Sequence, residues 1–314
     1  MMFKDRDILS IKDLSRKEIE HIFSVANKME DFLTARTKCS LLQDTILATL
    51  FFEPSTRTRL SFEAAMHRLG GSVIGFASPE VSRAGDVYAE TLEDMARMVQ
   101  IYADVVAIRH PDANAPARFA EAANIPVINA GAGVTSVKTA GILGEHPTQA
   151  LLDLYTIKKE RGEIDGLKIL CIGNVTSRAT HSLGLGLAKF NAHVYLISPE
   201  ILHVSKAMRD SFDDAGLSHE EISGVEDIIS EVDVIYTVSS RFATKTEKTE
   251  DAYRIDLNKL KKAKKSLIIL HPLPRLDELP TEIDSTPYAK YFVQAYNGLV
   301  VRMALLALVS GKIF

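Results

Sequence analysis

Residues 45–65 read TILATLFFEPSTRTRLSFEAA, and the order of residue types in this stretch decides the architecture. The first eight are almost all apolar or β-branched, as in a strand covered on both faces. They run into a knot of hydroxyls and arginines and then into a helix-like segment, and a strand that turns into a helix is half of a βαβ unit. The pattern recurs in SVIGFA, ADVVAIRH and IPVINA, and again in LKILCIG, AHVYLIS, VDVIYTV and SLIILHPLP. Eight such runs separated by helix-period segments predict parallel sheets in an α/β fold with two doubly wound parallel-sheet domains joined by long helices. The longest helix candidate, HPTQALLDLYTIKKERG from His146 to Gly162, is followed by a polar restart, EIDG, which marks the passage between lobes. The C-terminal segment FVQAYNGLVVRMALLALVSG has apolar residues at helical spacing and is expected to return to the first domain. Residues 1–145 plus 292–314 are thus expected to form one domain and residues 146–291 the other.

Composition narrows the functional classes. The chain has 314 residues, 46% apolar and 25% charged, enough for two separate cores, and its net charge of -4 argues against a general nucleic-acid or membrane-surface binder. Any anion site must be local. Cys39 and Cys171 are far apart and form no CxxC pair, so neither a disulfide framework nor a zinc site is indicated. The N-terminus MMFKDRDILSIKDLS lacks a long apolar run, and GLVVRMALLALV is short and broken by Arg302, so a cytoplasmic protein that does not span a membrane is expected. The lysine run KLKKAKK, Lys259 to Lys265, reads as a solvated helix face.

Ligands of open α/β sheets gather outside the carboxyl ends of strands, where the next helix offers unpaired N–H groups. Ser55, Thr56, Arg57 and Thr58 stand at such a place: the hydroxyls donate, and the guanidinium fork of Arg57 can hold two oxygens of a phosphate. The plainer alternative is a helix N-cap at Ser55 with solvated arginines. Other strand and helix ends carry similar groups. AIRHP places Arg109 and His110 at one, GEHPTQ places His146 and Gln149 at another, and LHPLPR places His271 at a third. Pro272 and Pro274 remove donors and stiffen their turn, so the carbonyls around Leu273 are expected to hold a fixed direction suited to gripping an amide NH2.

Together FFEPSTRTRLSFEAA, IRHP, HPTQALLDLYTI, SRATHS and HPLPR resemble the aspartate/ornithine carbamoyltransferase family, in the family's order, from about residue 50 to the C-terminus. The resemblance implies a two-domain α/β fold, a catalytic homotrimer, and transfer of the carbamoyl group of carbamoyl phosphate to the amine of L-aspartate without metal or cofactor. It implies that Ser55, Thr56, Arg57 and Thr58 form the phosphate loop. It places Arg109, His146 and Gln149 around the carbamoyl carbonyl and amide, and the carbonyls of Pro272 and Leu273 on the carbamoyl nitrogen. Arg57, Thr58, Arg109 and His146 are the catalytic set it implies, and Arg178 in GNVTSRATHS matches the binder of the acceptor's α-carboxylate. A higher assembly with a regulatory chain also falls within the family's range.

The acceptor half departs from the family's pattern. Tyr88 stands where a lysine is usual before Glu90-Thr91, and in YTVSSRF Ser239 stands where an arginine is expected, with Arg241 two places late. An insertion, GVTSVKTAGILGE, precedes His146 and carries Lys138. Ser82, Arg83, Lys138 and Arg241 are the candidates to restore the missing groups, or else are exposed loop residues. The readings that stay open are an aspartate enzyme, a carbamoyltransferase for another amino or ureido acceptor, and a non-catalytic anion-binding pseudoenzyme. An ornithine enzyme fits less well, since that branch shows His-Cys-Leu-Pro where this chain has Pro272. A dinucleotide binder fits less well too, because IGNVTSR lacks GxGxxG.

Overall fold

The computed structural model describes residues 3–35, 39–83, 90–133, 143–245 and 247–312. These fall into two compact units, one within Met1–Val134, Gly144–Thr148 and Tyr296–Phe314, the other within Thr135–Leu143 and Gln149–Ala295.

The first unit holds, in order, α1 (Arg16–Ala35), β1 (Ile46–Phe51), α2 (Thr56–Arg68), β2 (Ser72–Phe76), α3 (Leu92–Tyr102), β3 (Val105–His110), α4 (Ala115–Ala122) and β4 (Val127–Ala132). Its four strands are all parallel in the order β2-β1-β3-β4. Ala48, Leu50, Val106, Ile108, Phe119 and Val127 share one buried core, which is why β1, β3 and β4 read as unbroken apolar runs rather than alternating ones. Chain order reverses between β1 and β3, where Phe51 and Arg109 are register partners. That is the switch point at which doubly wound sheets bind ligands.

The second unit contains β5 (Lys168–Gly173), α6 (Arg178–Leu187), β6 (His193–Ile197), α7 (Lys206–Asp214), β7 (Ser218–Glu221), β8 (Val234–Val238), α8 (Arg241–Thr244), α9 (Leu257–Leu260) and β9 (Ile268–Leu270). Its sheet is also parallel, in the order β7-β6-β5-β8-β9, over a core that includes Leu170, Ile172, Ile235, Ile269 and Ile283. The switch point here lies between β5 and β8, where Gly173 is paired with Val238. A Cβ on Gly173 would sit 2.1 Å from the Val238 carbonyl oxygen, so no other residue fits that strand end.

Two helices carry the chain from one unit into the other, α5 (Pro147–Arg161) and α10 (Tyr291–Val309). Among the described residues α10 is the helix long and apolar enough to cross a bilayer, but 72% of its apolar window is buried within the protein, as befits a core helix. The eight strands read from sequence are present. The ninth, β7, is the polar tetrad SHEE on the sheet edge, and a strand with no apolar member gives no periodic signal.

Candidate active site

In the first unit, Ser55 occupies the N-cap of α2 with an extended backbone, yet its hydroxyl makes no capping hydrogen bond. The helix is therefore closed without that oxygen, and the plain capping alternative does not account for the serine. Arg59 is committed to Glu63 one turn on, Nε to Oε1 at 2.6 Å. Arg57 is exposed and makes no ion pair among the described residues, so the two arginines, alike in sequence, divide into a structural and an available cation. Thr58 is buried and turns toward His146, with Thr58 Oγ1 and His146 Nε2 3.4 Å apart. The other ring nitrogen, Nδ1, lies 3.4 Å from Thr148 Oγ1, and Arg302 Nη2 stands 3.3 Å from that same hydroxyl. Arg302 is itself buried, its guanidinium 5.2 Å over the ring of Phe62. The imidazole is thus held at both nitrogens by side chains from two helices.

Arg109 ends β3 beside the turn that leaves β1: the Phe52 N–H donates to its carbonyl at 2.9 Å, and its Nε lies 3.6 Å from Glu53 Oε2. Glu53 was not singled out from sequence, since its partner is remote in the chain. His110 serves the fold instead. Its Nδ1 accepts the Asp112 N–H at 2.9 Å and its ring packs on Phe52, and burial holds its pKa below the usual range against the nearby Asp112 and Glu53 charges. Ser82 closes a short 3₁₀ turn, its hydroxyl donating to the Pro79 carbonyl at 3.1 Å, and Arg83 follows it on the surface. Tyr88 and Lys138 lie outside the described residues.

In the second unit, Arg178 is the first residue of α6, directly beyond the carboxyl end of β5, and Ser177 caps that helix by accepting the Thr180 N–H at 3.1 Å. Gln149 is buried and donates from Nε2 to Asp153 Oδ1 at 2.8 Å. The turn after β9 is built inward. His271 is buried, its Nδ1 accepting the Leu273 N–H at 2.7 Å and its Nε2 facing Glu278 Oε1 at 3.0 Å. The sequence offered His271 as a ligand donor; the structure makes it the brace of its own turn. Burial would raise the Glu278 carboxyl, but hydrogen bonds from His271 and the Leu276 N–H bring it below the usual range. The brace holds Leu273 at φ 58°, a left-handed value costly to a residue with a Cβ. Arg275 of the same turn is taken up by Asp284 and Tyr291.

Ser239 is buried just past the end of β8. Arg241 donates from Nη1 to Asp277 Oδ1 at 2.9 Å, and Asp277 also accepts the N–H and hydroxyl of Thr249 at 2.8 and 3.0 Å. Partial burial pushes the Asp277 carboxyl up, but the Thr249 donors and Arg241 outweigh it and bring it to about 2. Arg241 is thus an engaged cation, which the sequence did not reveal.

The arrangement is a set of preset donors at two strand-end switch points. Two family models match nearly the whole chain: the carbamoyl-P binding domain of aspartate/ornithine carbamoyltransferases matches residues 6–159, and the Asp/Orn binding domain matches residues 165–309. The chain belongs to the aspartate/ornithine carbamoyltransferase family. Among curated members, the aspartate carbamoyltransferase catalytic subunit of Thermococcus kodakarensis is 46% identical over 99% of this chain and 99% of its own length. That of Pyrobaculum calidifontis is 44% identical over 98% and 99%. Among solved carbamoyltransferases, the aspartate transcarbamoylase of Trypanosoma cruzi in complex with carbamoyl aspartate and phosphate superimposes with a TM-score of 0.86 at 34% identity, covering 98% of this chain and 97% of that one. The catalytic subunit of M. Jannaschii aspartate transcarbamoylase gives a TM-score of 0.85 at 38% identity, covering 98% and 99%. Among the described residues, the turn at Ser55–Thr58, Arg109 and His146 carry the candidate donors of the first unit, and Ser239 with the Arg241–Asp277 pair marks where the second unit departs from the expected pattern.

Proposed function

We propose that the chain transfers the carbamoyl group of carbamoyl phosphate to the amine of L-aspartate, giving N-carbamoyl-L-aspartate and phosphate, a step of pyrimidine biosynthesis. The observation that carries the reading is the convergence at the first sheet's switch point of the Ser55–Thr58 turn, Arg109 and His146, with His146 locked against Thr58. Ser55, Thr56, Arg57 and Thr58 hold the phosphate, and Arg109 and His146 face the carbamoyl carbonyl. Gln149 and the carbonyls of Pro272 and Leu273 take the carbamoyl NH2, and Arg178 takes the α-carboxylate of aspartate. A T. cruzi neighbour was solved in complex with carbamoyl phosphate and aspartate, which supports both substrates.

The chemistry follows from the residue types. The amine nitrogen attacks the carbamoyl carbon, charge grows on the carbonyl oxygen, the bond from that carbon to the bridging oxygen breaks with the P–O bond kept, and the phosphate leaves with the amine's proton on the oxygen it releases. Cationic and N–H donors fixed beforehand at the carbonyl and at the phosphate lower the barrier without any covalent nucleophile. Arg57 and the open end of α2 are suited to the leaving group because a helix N-terminus and a guanidinium fork both favour phosphate oxygens.

The same proposal includes a cytoplasmic cyclic trimer that shares Ser82 and Arg83 with a neighbouring copy, and association with a second type of subunit. Support for self-association comes from the first unit, where the exposed side chains of Ile74, Val81, Met98 and Tyr102 line one surface depression. A specific observation also favours a second reading of the acceptor. With Ser239 buried and Arg241 bound to Asp277, a different amino or ureido compound would need fewer cations than aspartate. The deciding experiment offers aspartate, ornithine, other amino acids and ureido compounds separately with carbamoyl phosphate. Turnover with aspartate is expected; aspartate inert beside an active alternative would replace the acceptor, and no turnover with any would remove the enzyme reading.

A further inference from the structure

A buried chain of hydrogen bonds in the second unit joins two elements assigned above to the carbamoyl NH2. Gln149 Nε2 donates to Asp153 Oδ1 at 2.8 Å, and Gln294 Nε2 donates to the same oxygen at 2.6 Å. The opposite arm of Gln294, Oε1, accepts the His271 N–H at 2.8 Å, and His271 Nδ1 accepts the Leu273 N–H at 2.7 Å. Asp153, Gln294 and His271 are all at most 2% exposed, so water does not substitute for a missing partner.

The chain has a single polarity. Asp153 Oδ1 can only accept, so each amide that faces it must present NH2. Gln149 therefore turns its own carbonyl oxygen to the other side of the amide. Gln294 is left with Oε1 for the His271 N–H, the one arm that a backbone donor can use. Because His271 Nδ1 accepts from Leu273, its proton resides on Nε2, facing Glu278. A carbamoyl NH2 brings two donor hydrogens and needs acceptors aimed at it in advance. The chain supplies two kinds, the Gln149 amide oxygen and the carbonyls of the turn at Leu273.

We propose that Asp153 and Gln294 are positioning residues that set the Gln149 amide and the Pro272–Leu273 turn as a matched pair of acceptors, so that the protein distinguishes carbamoyl phosphate from inorganic phosphate. This rests on the carbamoyl phosphate reading above and names two residues beyond it. Gln294 and Asp153 touch no substrate; they act through the groups they orient. A buried hydrogen-bonded series of this kind carries orientation further than any one member, since each donor is satisfied by one arrangement only.

The test uses Gln294→Met, which keeps length and volume but removes both hydrogen bonds, and Asp153→Asn, which keeps an accepting Oδ1. Calorimetry of the full-length protein with carbamoyl phosphate and with inorganic phosphate reads the discrimination directly. Gln294→Met is expected to weaken carbamoyl phosphate more than tenfold while phosphate stays within about twofold, and Asp153→Asn to keep carbamoyl phosphate within about threefold. Equal weakening of both ligands, or unchanged carbamoyl phosphate affinity in Gln294→Met, overturns the proposal. A wild-type protein that prefers phosphate would overturn the functional reading instead. A second measurement needs no variant: in wild-type protein the side-chain NH2 resonances of Gln149 and Gln294 should exchange slowly with solvent. Exchange at the rate of free amides would refute the chain itself.

Discussion

Replacing Arg241 with alanine separates two roles that the structure sets against each other. Arg241 is bonded to Asp277 at 2.9 Å, with 26% of the Arg241 side chain and 35% of the Asp277 side chain exposed. A pair that open to solvent contributes about 0.2–1 kcal/mol to stability, so the variant should fold, with its thermal midpoint lowered by only a few degrees. If Arg241 also receives the second carboxylate of aspartate, removing it deletes a charge-assisted contact of about 1.5–3 kcal/mol, or roughly 10- to 150-fold in affinity. Binding is therefore the larger effect. Steady-state kinetics at saturating carbamoyl phosphate should show the half-saturating aspartate concentration rising more than tenfold, with carbamoyl phosphate binding unchanged. Asp277→Asn should move aspartate the other way or not at all, because it frees the guanidinium. An Arg241→Ala protein with unaltered aspartate saturation would show that the arginine only anchors Asp277, and the second carboxylate would have to find its cation elsewhere.

Arg57→Ala should lower turnover at least about a hundredfold with the thermal midpoint held, the scale of losing one donor aimed at developing charge; near wild-type rates would remove Arg57 from the leaving phosphate. Mixing Arg109→Ala chains with chains altered at both Ser82 and Arg83 should restore activity that neither parent has, whereas a fully active monomer in light scattering would rule out shared sites. Acid stability offers a further check through Asp277, depressed in the folded protein from an ordinary 3.8 to about 2. The sign follows from that direction: the carboxylate stabilises above about pH 4 and the contribution is lost as pH falls toward 2. Full linkage would be about 2.4 kcal/mol, which exposure of the carboxylate discounts to about 1 kcal/mol. Urea unfolding of wild type and Asp277→Asn should accordingly differ at pH 6 and converge near pH 2.5; a gap that widens on acidification would contradict the assignment.

Much of the fold was legible because buried parallel strands are apolar along their whole length, so β1, β3, β4, β5 and β8 announce themselves. β7 could not, since its polar residues lie at an edge and are held by pairing with β6 rather than by burial. Among the candidate site residues, the turn at Ser55–Thr58, Arg109, His146, Gln149 and Arg178 could be singled out because each sits next to a strand or helix end. Their partners were not. Glu53 meets Arg109, Asp277 meets Arg241, and Gln294 meets Asp153 only once the chain has folded, over separations of 56, 36 and 141 positions. His271 shows the converse error: a donor at a strand end that the sequence offers to a ligand is consumed by Leu273 and Glu278.

The central claim is carbamoyl transfer, and it is tested most directly by following carbamoyl phosphate labelled with ¹³C in the carbamoyl carbon, mixed with L-aspartate and the purified protein, by NMR. The account predicts that the label moves into N-carbamoyl-L-aspartate while an equal amount of inorganic phosphate appears, and that Arg57→Ala abolishes both together. Label that remains in carbamoyl phosphate, or is released only at the rate of its uncatalysed breakdown, would contradict it.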